Sequence, residues 1–103
     1  MIESTHQKSE DGEDSTLINC SGILNIETAS ELKNSLQEAL NQNGDIILDV
    51  ENVERIDTSC IQTICSLFKS AVLTHKKITW KNVPDTFSET AKLLAVDELI
   101  ALS

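Results

Sequence analysis

Apolar residues along this chain fall into short clusters whose spacing switches between that of a strand and that of a helix. Leu17, Ile18 and Cys20 form a brief extended run, Ser21-Gly22 marks a bend or bulge, and Ile23, Leu24 and Ile26 continue the run. Thr28-Ala29-Ser30-Glu31 has capping-box spacing and predicts a helix with Ala29, Leu32, Leu36, Ala39 and Leu40 on one face. Asn41-Gln42-Asn43-Gly44 ends it, with the glycine suited to a left-handed cap. Ile46, Ile47, Leu48 and Val50 mark a β-branched central strand over 45–49. Ile61, Ile64, Cys65, Phe68, Ala71 and Val72 then recur at helical spacing to about Thr74. Ile78-Thr79-Trp80 predicts another strand, and Pro84 opens a helix carrying Phe87, Ala91 and Leu94. A last short helix fits 97–102. This alternation predicts an α/β domain: a mixed, partly parallel sheet of about four strands packed against three to four helices.

Residues 1–14 do not join this pattern. Glu3, Glu10, Asp11, Glu13 and Asp14 outweigh Lys8, and large apolar side chains are nearly absent, so a flexible acidic tail is expected there and a folded domain over 15–103. Only 3% of the 103 residues are aromatic, which leaves the core to Leu, Ile, Val and Ala. The formal net charge of −9 argues against nucleic acid or an anionic membrane surface, because both call for a basic face. No apolar run reaches the roughly 20 residues that span a bilayer, and no basic-then-apolar leader opens the chain, so a soluble cytoplasmic protein is expected. Cys20, Cys60 and Cys65 include no CxxC pair, and His6 and His75 are the only histidines, so neither a disulfide nor a zinc site is expected.

The candidate chemistry lies where the central strand gives way to the second helix, at Asp57-Thr58-Ser59. Unpaired N–H groups and the dipole at a helix N-terminus favour negative charge. Asp57 can cap this helix; so can Ser59, whose S-x-x-Q spacing to Gln62 lets the amide bond back. Either choice leaves Thr58 without a structural task. A phosphate on Thr58 would add roughly −1.5 to −2 charges beside Asp57 without needing the fold to change. Catalysis is not expected: nucleophilic attack by Thr58, Ser59 or Cys60 needs a nearby general base, and neither a G-x-S-x-G elbow nor a phosphate-binding glycine loop is present.

These residues resemble the STAS domain, the fold of bacterial anti-sigma-factor antagonists, and the likeness extends from Thr16 onward. The family's Gly-x-Leu-[Asp/Asn] step and helix start appear as Gly22-Ile23-Leu24-Asn25 and Thr28-Ala29-Ser30-Glu31-Leu32. Its central strand and Asp-Ser-Ser-Gly-Leu switch appear as Leu48-Asp49-Val50, Val53 to Ile56, and Asp57-Thr58-Ser59-Cys60-Ile61. Cys60 stands where the family has Gly, and Asn25 where Asp is more typical. Lys77-Ile78-Thr79-Trp80 and Ala91-Lys92-Leu93-Leu94-Ala95-Val96 resemble stand-alone STAS proteins of chemotaxis-type signalling clusters.

The resemblance implies a cofactor-free, non-enzymatic partner-switching regulator. It would bind an anti-sigma factor or a GHKL-type Ser/Thr kinase, and a phosphatase would reverse the modification. The phosphoacceptor would be Thr58, with Ser59 as runner-up, and Asn25, Glu27, Asp57, Ser59 and Cys60 would contact the partner. A monomer is expected, with a sheet-edge homodimer as the alternative. A different role is also open: a non-catalytic STAS subunit of a bacterial phospholipid-transport ABC system, docking on the ATPase through Asp57-Thr58 without phosphorylation.

Overall fold

In a computed structural model, which describes residues 2–8, 14–42 and 44–94, the elements run β1 (Ile2–Lys8), β2 (Asp14–Leu24), α1 (Ile26–Asn41), β3 (Asp45–Ile56), α2 (Thr58–Leu73), β4 (Ile78–Lys81) and α3 (Asp85–Leu93). The four strands form one sheet in the order β1-β2-β3-β4. β1 pairs antiparallel with β2, whereas β2–β3 and β3–β4 are parallel and joined through α1 and α2. The α/β architecture is therefore the one the periodicity predicts.

Ile18, Cys20 and Leu24 of β2 and Ile46, Leu48 and Val50 of β3 face the helices and are almost wholly buried. Leu32, Leu36 and Ala39 of α1, Ile61, Ile64 and Leu67 of α2, and Phe87 and Ala91 of α3 close on them in a single cluster. Trp80 of β4 completes one end, stacked with Phe68 at 6.0 Å between ring centroids and tilted against Phe87 at 5.3 Å. Val72, placed on the helical apolar face by spacing, is instead exposed at the end of α2.

β3 continues seven residues beyond the predicted Asp49, through two register shifts against β2. Asn19 pairs with Asp49 but Ser21 with Asn52, and Gly22 pairs with Val53 but Ile23 with Arg55. The extra residues on β3 break strict alternation, so Val50, Val53 and Ile56 all reach the core at a spacing of three. Gly22, at φ 76, supplies the left-handed backbone on the β2 side of this irregularity. Beyond both shifts the strands pair again at Leu24↔Ile56, displaced by two residues from their initial register, so they end side by side.

Three expectations need correction. Residues Ile2–Lys8 are not a flexible tail: they form edge strand β1, with Ile2 buried opposite Cys20 and the His6 ring 3.4 Å from the Thr16 hydroxyl. An edge strand is held largely by backbone hydrogen bonds, which polar side chains satisfy as well as apolar ones. The N-cap of α1 is Asn25 rather than Thr28, so the helix starts at Ile26, for reasons given below. Its end is also different, since Gln42 in an extended conformation is the C-cap, while Gly44 at φ 93 lies beyond it. The short helix expected over 97–102 lies outside the described residues.

Candidate functional site

Because β2 and β3 are parallel neighbours that end together, their two strand-to-helix junctions lie next to each other. In open α/β sheets, ligands are received outside the carboxyl ends of the strands. The Asp57 N–H donates to the Leu24 carbonyl at 2.9 Å, extending the ladder across the two turns.

On the α1 side, Asn25 is the N-cap. Its Oδ1 accepts from the N–H groups of Glu27 at 3.0 Å and Thr28 at 3.3 Å. Thr28 closes the box in return, its hydroxyl accepting from the Asn25 N–H at 2.8 Å. Thr28 thus has the reciprocal role that the sequence pattern allotted to Glu31. Asn outranks Thr slightly as a cap, and an earlier start adds a turn to the helix.

On the α2 side, Asp57 takes the cap rather than Ser59. Its Oδ1 accepts from the Cys60 N–H at 3.3 Å and from the Ser59 hydroxyl at 2.6 Å. The Ser59 hydroxyl bond, above all, holds the Asp57 carboxyl below its ordinary pKa; burial opposes it as the next-largest effect, and the backbone N–H groups of Cys60, Ser59 and Ile26 each add a smaller lowering. The N–H of Ile26 belongs to the start of α1, so this carboxylate is stabilised from both helix N-termini.

The structure separates the predicted site residues into two kinds. Asn25, Asp57 and Ser59 are half-buried, with side chains committed to the caps. Glu27 and Thr58 are exposed, and the Thr58 hydroxyl takes no part in the hydrogen bonds of either cap. Cys60 departs from its expected place among partner-contacting residues. It is fully buried beneath both caps, where a docked protein cannot touch it, and burial pushes its thiol pKa up rather than letting the helix N-terminus lower it.

Two further surface residues sit at this edge. Ile26 is 74% exposed at the first position of α1, and Ile23 is 49% exposed opposite Arg55. Apolar spacing alone assigns both to an extended strand. The signal that separates them is the cap-type Asn25, after which Ile26 can no longer alternate into the sheet. Ile26 and Glu27 open α1 and Thr58 opens α2, all three exposed at the paired junctions, while Ile23 and the exposed Arg55 face each other in the ladder just before them.

Beside the junctions, a groove of about 260 Å³ runs between α1 and α2, bounded by Lys33, Gln37, Ser59, Gln62 and Ser66 over Leu36. Among the described residues no cluster of His, Cys, Asp or Glu is arranged to hold a metal ion, and no helix is long and apolar enough to cross a membrane.

Comparison with known proteins agrees with this geometry. No curated protein sequence matches the chain. A putative anti-sigma factor antagonist from Thermotoga maritima superposes with a TM-score of 0.77 at 20% identity, covering 94% of this chain and 82% of its own. The anti-sigma factor antagonist SpoIIAA in its unphosphorylated form gives a TM-score of 0.72 at 14% identity, with 90% and 83% covered. The phosphorylated form of SpoIIAA, a Bacillus cell-fate determinant, gives 0.67 at 13%, with 92% and 87% covered. At such identities the likeness is one of fold. The family described as "Mlab, STAS domain" matches residues 6–101, nearly the whole chain, and the protein therefore belongs to the STAS domain family.

Proposed function

We propose that this protein is a regulatory binding module of the anti-sigma-factor-antagonist type, and that the paired junctions are its docking face. The observation that carries this reading is the division of labour at Asp57-Thr58-Ser59. Asp57 and Ser59 hold the helix start, and Thr58 alone presents a hydroxyl outward at its first position. The unmodified protein binds an anti-sigma factor or GHKL-type Ser/Thr kinase through Ile26, Glu27 and the rim of the Asp57 cap. Phosphorylation of Thr58 by that kinase places a dianionic group in the middle of the contact. The helix N-terminus tolerates the charge, so the carrier stays folded while the complex weakens. A phosphatase resets the switch. The protein performs no catalysis of its own and acts in the cytoplasm as a monomer.

The test is incubation with a kinase of this type encoded in the same genome, with ATP, followed by mass spectrometric site assignment in wild type, Thr58→Ala and Ser59→Ala. One phosphate on wild type and Ser59→Ala, and none on Thr58→Ala, is the expected outcome. Loss in Ser59→Ala with retention in Thr58→Ala would move the acceptor to Ser59.

A second reading has its own support, because the family that matches carries the Mlab name. In it the same face docks on the ATPase of a phospholipid-transport ABC system, with Thr58 as an unmodified contact. Tight binding to such an ATPase subunit, with no phosphate acquired from any kinase tested, would select it.

A further inference from the structure

The buried thiol of Cys60 lies between the two junctions and touches both. It belongs to the first turn of α2, where its own N–H is capped by Asp57 at 3.3 Å. Its Sγ donates across to the Asn25 carbonyl oxygen at 3.3 Å, and the Thr28 hydroxyl lies 3.9 Å from the same sulfur. That carbonyl is the node of the α1 capping turn: it also accepts from the N–H groups of Thr28 and Ala29, each at 3.0 Å, and from the Thr28 hydroxyl at 2.9 Å. A glycine in this position would leave the node with no side-chain link to α2.

We propose that Cys60 is a positioning residue whose thiol ties the capping turn of α1 to the first turn of α2, so that the two sides of the paired junction keep one relative geometry. The proposal deepens the docking-face reading and rests on it for its consequence: the apolar side chain of Ile26 and the acceptor at Thr58 are presented to a partner as a unit. The sheet bond from Asp57 N–H to the Leu24 carbonyl fixes the strand ends. The Ile26 N–H beside the Asp57 carboxylate joins the two helix starts, and the thiol adds a tie one turn further along α2, restraining a rotation that attachments at the strand ends leave freer.

A purely packing role makes a different prediction from a hydrogen-bonding one. Serine keeps a donor at this position and alanine removes it. If apolar contact were all that mattered, a buried hydroxyl would be worse than a methyl group. If the donor matters, serine rescues what alanine loses.

Amide hydrogen exchange on the free full-length protein tests this without any partner, comparing wild type with Cys60→Ala and Cys60→Ser. Alanine is expected to speed exchange at Glu27, Thr28 and Ala29 by about three- to tenfold, the size of one modest hydrogen bond, while serine stays within about twofold of wild type. The amides of Ile46 and Leu48 in β3 should keep their wild-type protection and report that the fold is intact. Should Cys60→Ala fail to fold, Cys60→Val removes the donor while filling the space, and the same acceleration relative to serine is expected. Equal protection in the donor-free and serine variants, or better protection without the donor, would overturn the proposal. Because no partner enters the measurement, failure of the docking reading would leave this result standing, and failure here would leave the docking reading open to its own test.

Discussion

The Ser59 hydroxyl donates to the Asp57 carboxylate at 2.6 Å, and the same carboxylate oxygen accepts the Cys60 N–H at the start of α2. Two residues that flank Thr58 therefore bind each other across it. Asp57→Ala removes the cap and leaves the Ser59 hydroxyl and Cys60 N–H without their acceptor. A loss of about 1–2 kcal/mol is expected, read as a fall in Tm of roughly 4–16 °C for a domain of this size. Asp57→Asn, which keeps a good capping oxygen, should lose about half as much or less.

The pH dependence of stability follows from the same pair. The folded-state pKa of Asp57 is depressed, chiefly by the Ser59 hydroxyl, so its contribution is fully present above the ordinary carboxylate value of about 4 and lost as pH falls from there through the folded value. Urea unfolding of wild type and Asp57→Asn between about pH 6 and pH 2.5 checks the sign. The stability difference between them should shrink on acidification, since only the wild type titrates at this position.

Thr58→Glu places one negative charge at the first position of α2. The helix dipole favours it by about 0.3–1 kcal/mol and Asp57 opposes it, so Tm should stay within about 5 °C of wild type. Affinity for the partner should fall while the circular dichroism spectrum is unchanged. Unfolding of this variant would mean that Thr58 has a structural task.

Ile26 gives the docking face an apolar anchor with little role in the core, being 74% exposed. Ile26→Asp should therefore leave Tm nearly unchanged but weaken partner binding by about tenfold or more, the behaviour of a residue that fills a pocket on the other protein. Calorimetric titration separates the two effects.

Gly44 adopts φ 93, and a Cβ there would lie 1.7 Å from the Asp14 carbonyl oxygen. Gly44→Ala therefore combines a left-handed backbone with a backbone collision. A destabilisation of about 2 kcal/mol or more is expected, measured by chemical unfolding.

Much of this architecture was legible because each core element carries its own period. Leu32 and Leu36, or Ile61 and Ile64, announce helices by spacing alone, and Ile46, Ile47, Leu48 and Val50 announce a strand as a short β-branched run. Legibility failed where another constraint set the conformation. Among its described side chains β1 buries only Ile2, and it is held through its backbone, so its polar residues read as a tail. The end of β3 was lost because the register shifts replace a spacing of two by one of three at Val50, Val53 and Ile56. At the junctions, residue types showed that caps were present but not which residue served. Asn25 and Asp57 won by tertiary placement at adjacent strand ends, and the exposure of Ile26 and burial of Cys60 follow from that choice.

The central claim is that Thr58 is the switch of a docking face built on two adjacent helix caps. It is tested most directly by titrating the partner kinase or anti-sigma factor into the protein before and after stoichiometric phosphorylation at Thr58, with thermal unfolding of both forms as control. The account predicts at least about a tenfold rise in Kd on phosphorylation with the fold retained. An unchanged Kd for the phosphorylated, folded protein would contradict it.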